Sequence, residues 1–301
     1  MQDDHVTIIE VGARDGLQNE RNWVPTDVKL TFLQKLADAG CNEMEITSFV
    51  SPKRVPQMSD AEDIACHPFT KRDYVLVPNE KGLERALAVS SHVTPAFFVG
   101  ASSSFQLKNI GMTHTDSLHL IPRLIAQVKN QDRFSRLCVS TAFYCPFEGK
   151  MDENQVVDFC IPYIEAGVDE LSIADTIGMA NPKQVQSLFH KLQQTFPNVL
   201  LTAHFHDTRK RGLANVFAAL ESGVRRFDTS IGELGGCPFA PGATGNVATE
   251  EVVSFLDDLG MKTGISLEGL SAAYRIVAPV LRRPNPTTYA KLGPFSITAY
   301  E

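Results

Sequence analysis

No stretch of the chain is apolar over the roughly 18 residues a membrane-crossing helix needs, so no spanning segment is expected. Positive charge is scarce. The 28 Lys and Arg residues stand against 35 Asp and Glu, a formal net charge of −7. That balance argues against broad binding to nucleic acid or to an anionic membrane, and an anionic ligand would need a local basic patch. None of the six cysteines forms a C-x-x-C pair, so neither a zinc knuckle nor a thioredoxin-like motif is supported. They read as reduced thiols, and a cytoplasmic setting is expected. The start, MQDDHVTIIEVG, lacks the basic residues and long apolar run of a signal peptide, and the end, SITAYE, carries no peroxisomal or retention signal. Linkers, low-complexity segments and clear repeats are missing as well.

What the chain does have is apolar material for a core that needs no staples, with 43% of its 301 residues hydrophobic. Short runs starting at Val6, Glu43, Tyr74, Thr94, Leu137, Glu170, Leu201 and Phe227 are rich in β-branched or aromatic residues, as strands are. Helix starts fall between them, at Pro25–Thr26, at Asp60, at Asp152, and at Asn181 before Pro182. Gly40, Gly167, Gly223 and Gly260 mark helix ends, where a left-handed residue commonly follows. Eight strands alternating with helices predict an α/β fold, a (β/α)8 TIM barrel in one catalytic domain over about residues 5–260. An added helix from Leu267 to Arg283 and an irregular, proline-rich tail are expected to make up an extension over about residues 261–301.

A barrel of this kind keeps its chemistry at the C-terminal ends of the strands. The unusual polar residues fall there. His204 and His206 lie two apart on one strand, so both imidazoles face the same side. Taken alone, the pair is as compatible with a structural role as with a metal. Asp15, after the first strand, offers a carboxylate, and Asn246, in a glycine-rich loop, an amide oxygen. Two nitrogens and two hard oxygens suit Mg2+ or Mn2+ better than a closed zinc site. Arg14 stays charged and can steady an oxyanion, or can form a salt bridge at the barrel mouth. Glu45 can orient Arg14 or a metal-bound water, or belong to a buried ion pair. Cys237 sits in the shaped loop GELGGCPFAPGATGN, and a thiol exchanges protons near neutrality. The other five cysteines read as structural. Asp175 and Thr176 close a strand and can bind a hydroxyl or cap a helix. Arg209, Lys210 and Arg211 follow the histidines, where they can receive phosphates or simply open a solvated helix. Arg282–Arg283 and Lys53–Arg54 leave the same two choices.

The stretches EVGARDGLQNE from Glu10, TSFVSPKRVPQM from Thr47, CPFEGK from Cys145, the ADTIG ending at Asp175, HFHDT from His204 and LGGCPFAPGATGNVATE from Leu234 resemble the hydroxymethylglutaryl-CoA lyase family. That family lies within a wider group of metal-dependent TIM-barrel lyases and Claisen condensing enzymes. The resemblance implies that Asp15, His204, His206 and Asn246 bind a divalent cation. It implies that Arg14 stabilises a thioester enolate, that Cys237 moves a proton, and that Glu45 is an essential carboxylate. Asp15 or Cys237 would be the base. Gln18, Ser48, Asp175 and Thr176 would line the substrate, and the basic residues Arg209, Lys210 and Arg282 are this chain's own candidates for contacts with CoA phosphates. The implied reaction cleaves 3-hydroxy-3-methylglutaryl-CoA to acetoacetate and acetyl-CoA, a retro-Claisen step of leucine degradation.

The expected partners are an acyl-CoA substrate and a second copy of the chain in a homo-oligomer, a dimer, with no nucleic acid and no membrane. Alternatives are a lyase for a related 3-hydroxyacyl-CoA, a Claisen condensing enzyme, and a non-catalytic barrel that binds CoA esters. Four positions depart from the family pattern: Ala174 where a glycine is typical, Arg209 and Lys210 where a tyrosine and a glycine are usual, and Glu233 at a usually small site.

Overall fold

The computed structural model describes residues 4–236 and 245–293. Strands β1 (Thr7–Glu10), β2 (Glu43–Ser48), β3 (Arg72–Leu76), β4 (Val93–Gly100), β5 (Arg136–Ser140), β8 (Glu170–Asp175), β9 (Leu200–Phe205) and β10 (Arg226–Thr229) form a closed parallel barrel. The barrel closes where β1 pairs with β10, Thr7 opposite Arg226 and Glu10 opposite Thr229. A small antiparallel hairpin, β6 (Tyr144–Cys145) and β7 (Gly149–Lys150), decorates the loop after β5. The expected TIM barrel is therefore present, each expected strand within a few residues of its place.

Helices α1 (Thr26–Asp38), α2 (Ala61–Ala65), α3 (Glu80–Val89), α4 (Ser103–Phe105), α5 (His114–Lys129), α6 (Glu153–Glu165), α7 (Pro182–Thr195), α8 (Gly212–Glu221) and α9 (Thr249–Asp258) lie between and after the strands. Local chemistry explains several ends. Asp152 accepts from the backbone of Asn154 and Gln155 at the start of α6. Asn181 and Gln184 form a reciprocal capping box at the start of α7, with Pro182 as its first residue. Asp60 precedes α2 but makes no capping bond. Its carboxylate is instead held by the buried ammonium of Lys29, 2.9 Å away, because an unpaired buried cation costs more than an uncapped short helix. Gly40 adopts φ 101°, and a Cβ there would lie 2.2 Å from the carbonyl oxygen of Gly264. Glycine at that position both turns the chain out of α1 and admits the returning backbone.

The two strand faces differ. Outward residues such as Met44, Ile46, Val75, Phe97, Val99, Leu137, Val139, Leu171, Ile173 and Phe227 pack with the helices in one large apolar core. Inward residues form a small apolar group of Ile9, Val11, Tyr74, Leu76 and Ala96, beside a run of charged and hydroxyl side chains. Helix α10 (Leu267–Leu281) follows and packs on α1, ending two residues earlier than expected because Arg282 turns left-handed at φ 55°. The tail departs from the expected irregular chain: Thr288–Leu292 form α11, capped by the Thr287 hydroxyl on the backbone of Ala290. Among the described residues no helix is long and apolar enough to cross a membrane.

Candidate active site and metal centre

The turn after β1 is a π-helical segment, Gly12–Gly16, which carries Arg14 and Asp15 over the barrel mouth. Arg14 is buried and reaches down to β2, where its Nε donates to Glu45 Oε2 at 2.6 Å. Its Nη1 donates to Asp15 Oδ1 at 2.8 Å, and Gln18 Nε2 donates to the same oxygen at 3.1 Å. Glu45 thus both holds Arg14 and forms a buried ion pair with it, two of the readings that the sequence offered.

His204 and His206 project from the end of β9, with ring centroids 5.3 Å apart. An antiparallel bridge pairs His206 with Asn246, so backbone hydrogen bonding sets the position of the amide. One ligand atom each from Asp15, His204 and His206 lies within 4.8 Å of the others, the one such cluster found among the described residues. Asn246 Nδ2 donates to Asp15 Oδ2 at 2.7 Å, while its buried Oδ1 has no hydrogen-bond partner, and neither does His206 Nδ1. Buried polar atoms are rarely left unsatisfied, and unsatisfied acceptors around a carboxylate fit a cation.

The electrostatics agree. Burial alone would raise Asp15, but the Arg14 guanidinium and the two imidazoles hold its carboxyl below the usual range. Burial pushes His206 down to about 4, aided by His204, so its ring is neutral near neutrality and has a lone pair to give. His204 moves the other way. Burial lowers it, yet a hydrogen bond between Nδ1 and Asp228 Oδ2 at 3.2 Å, with the Asp228 charge, outweighs burial.

Arg14, Asp15, Glu45, His204, His206 and Asp228 line a cavity of about 670 Å³. Gln18 and Thr176 line it too, although the Thr176 hydroxyl also accepts from the Thr141 backbone at 2.7 Å. Ser48 is buried with its hydroxyl on the Leu76 carbonyl at 3.3 Å. Asp175 accepts from the backbone of Met179 and Ala180, at 3.0 and 2.9 Å, and burial pushes it up to about 6. Neither Ser48 nor Asp175 is among the lining residues, and nor are Arg209, Lys210 and Arg282, which are exposed. Lys210 pairs instead with Asp207 and Glu233, at 3.2 and 3.3 Å. Two of the departures from the family pattern thus meet each other. Cys237 lies outside the described residues.

Sequence reasoning missed part of the lining. Asn79 and Asn109 come from the loops after β3 and β4, and Cys138 and Ser172 from the barrel interior, while Arg54 of the basic pair Lys53–Arg54 does line the cavity. For the interior pair a signal existed. Cys138 stands two residues from Arg136, and Ser172 two residues from Glu170, so each shares a strand face with a charge.

A family model described as HMGL-like matches residues 5–277. A hydroxymethylglutaryl-CoA lyase of Bacillus subtilis is 40% identical over 94% of this chain and 95% of its own length. An (R)-citramalyl-CoA lyase of Chloroflexus aurantiacus is 37% identical over 96% of this chain and 95% of its own. A solved HMG-CoA lyase from Acinetobacter baumannii, in complex with coenzyme A and 3-methylmalate, superposes with a TM-score of 0.91 at 38% identity, covering 98% of this chain and 97% of that one.

Proposed function

We propose that this chain, which belongs to the HMGL-like family, cleaves 3-hydroxy-3-methylglutaryl-CoA to acetoacetate and acetyl-CoA with the help of a divalent cation. The observation that carries the reading is the meeting of Asp15, His204 and His206 within 4.8 Å in one cavity beside Arg14, in a chain 40% identical to a lyase of that name. Asp15, His204, His206 and Asn246 would hold the cation, Mg2+ or Mn2+ on the mixed nitrogen and oxygen donors. When bound, such an ion acidifies a hydroxyl that it contacts.

Asp15, charged near neutrality, or Cys237 in its thiolate form takes the proton from the tertiary hydroxyl at C3 of the substrate. A carbonyl forms at C3 as the C2–C3 bond breaks, and its electron pair passes to C2 and the thioester oxygen. Arg14, fixed by Glu45, faces the charge on that oxygen. Cys237 returns a proton to C2, which completes acetyl-CoA. Gln18 and Thr176 line the same cavity, where they would contact the substrate.

A second reading, a lyase for a related 3-hydroxyacyl-CoA, is favoured by the citramalyl-CoA lyase at 37% identity and by Ala174 in the lining. On either reading the enzyme works in the cytoplasm as a homo-oligomer, which light scattering tests. A coupled assay with a panel of acyl-CoAs decides between the substrates. Hydroxymethylglutaryl-CoA should give the highest kcat/KM. Chelation should abolish turnover and Mn2+ or Mg2+ restore it, whereas full activity in metal-free enzyme defeats the cation's role.

A further inference from the structure

Among the large interior side chains that the chemistry above does not use, Arg136 lies beneath the site. Arg136, from β5, is wholly buried. Its guanidinium pairs with Asp228 Oδ2, lies 3.9 Å from Glu45 Oε1 and 3.6 Å from Glu170 Oε1. Asp228 Oδ2 also accepts from Ser172 Oγ at 2.7 Å and meets His204 Nδ1 at 3.2 Å, while Asp228 Oδ1 has no partner.

We propose that Arg136 is a positioning residue: by gripping Asp228 it fixes which nitrogen of His204 carries the proton, and so which nitrogen is left to face Asp15 and His206. A carboxylate that accepts from Nδ1–H leaves Nε2 with its lone pair. Three of the groups that touch Asp228 share one oxygen, so the carboxylate has a single orientation while the guanidinium is there. Without it, one serine hydroxyl and the imidazole itself remain, and the carboxylate can rotate to offer either oxygen. The same guanidinium lies below Glu45, whose other oxygen grips Arg14. One cation therefore stands under both arms of the site.

The inference rests on the cation-binding reading for His204, but its first test does not. In metal-free protein labelled with 15N-histidine, His204 Nδ1 should show the shift of a protonated ring nitrogen. Arg136→Met should shift it toward an exchanging mixture of tautomers. In the second test, Mn2+ titration should give a Kd weakened by about tenfold or more in the variant, the scale seen when the partners behind metal ligands are lost. A parent protein that shows the expected tautomer yet binds no Mn2+ would remove the cation reading and leave the positioning role standing. Should Arg136→Met fail to fold, Arg136→Lys keeps the charge without the planar fork and is read in the same way. A cycle with Asp228→Asn must give less than additive losses of Mn2+ affinity if Arg136 acts through Asp228. An unchanged His204 shift with a Kd within about twofold of the parent, or strictly additive losses, overturns the proposal.

Discussion

The two faces of the barrel strands are built to different rules. The outer face is apolar and joins the helices in one core. The inner face, which in such barrels is usually filled by branched apolar side chains, carries buried Glu43, Glu45, Arg136, Glu170 and Asp228 and the partly buried Arg226. Buried ion pairs seldom repay the loss of hydration, so the inner face adds little to stability and much to orientation. Stability resides in the shell and specificity of geometry in the lumen.

That division can be broken from either side. Phe97 is a fully buried outer residue, and Phe97→Ala should cost about 3–5 kcal/mol in chemical denaturation. Its kcat per folded molecule should stay near the parent value, and a matching collapse of kcat would mean that the shell shapes the site. Arg14→Lys attacks the lumen. It should lower kcat by roughly 10²–10³-fold with little change in melting temperature or Mn2+ affinity, since charge remains but the fork to Glu45 and the oxyanion does not. Near-normal turnover in that variant would make Arg14 a structural ion-pair partner.

Glu10 is the exception that sharpens the contrast, a carboxyl on the shell side of β1. Burial pushes it up to about 8, against hydrogen bonds from Thr249, Ile231 and Gly12. Its ordinary value is 4.5, so between 4.5 and about 8 the folded chain keeps a proton that the unfolded chain has lost. Stability must then fall as pH rises through that window. Glu10→Gln should flatten the melting-temperature profile there, and an unaltered slope would show that Glu10 is ionised in the fold. The smallest effect belongs to the exposed pair of Lys210 and Glu233. Lys210→Gly should change stability by less than about 1 kcal/mol. A rise in KM for acyl-CoA beyond tenfold would instead restore the phosphate contact suggested by the basic run.

Strands, glycine-marked helix ends and the Asp15, His204 and His206 cluster were legible because each is written in local spacing. The histidines are two apart on one strand, and Asp15 follows a strand directly. Arg136 was not legible, because an arginine at a strand start ordinarily points to water. Only barrel closure brings Asp228 against it from 92 positions away. Asp60 misled for the opposite reason. Its sequence neighbours promise a cap, but its partner Lys29 arrives from another helix. The basic run at Arg209 is a local pattern whose surroundings, Asp207 and Glu233, supply the counter-charge.

The approach of two glycines beside the site has a consequence for descent. A Cβ on Gly245 would lie 2.3 Å from the carbonyl oxygen of Gly235, so the chain leaves and returns at nearly one point. The returning strand is then pinned, Gly245 by its carbonyl to Asp207 and Asn246 by its bridge to His206. The stretch between these glycines carries Cys237, and its returning end is held by groups outside it. The cost of closing a loop grows only as the logarithm of its length, about 0.6 kcal/mol for each doubling. A chimera that carries a relative's segment between Gly236 and Gly245 should keep the Mn2+ affinity of the parent, and a large loss would show that the segment itself holds Asn246 in place. With that end held from outside, the residues between the glycines can change in sequence and length while Asn246 keeps its place.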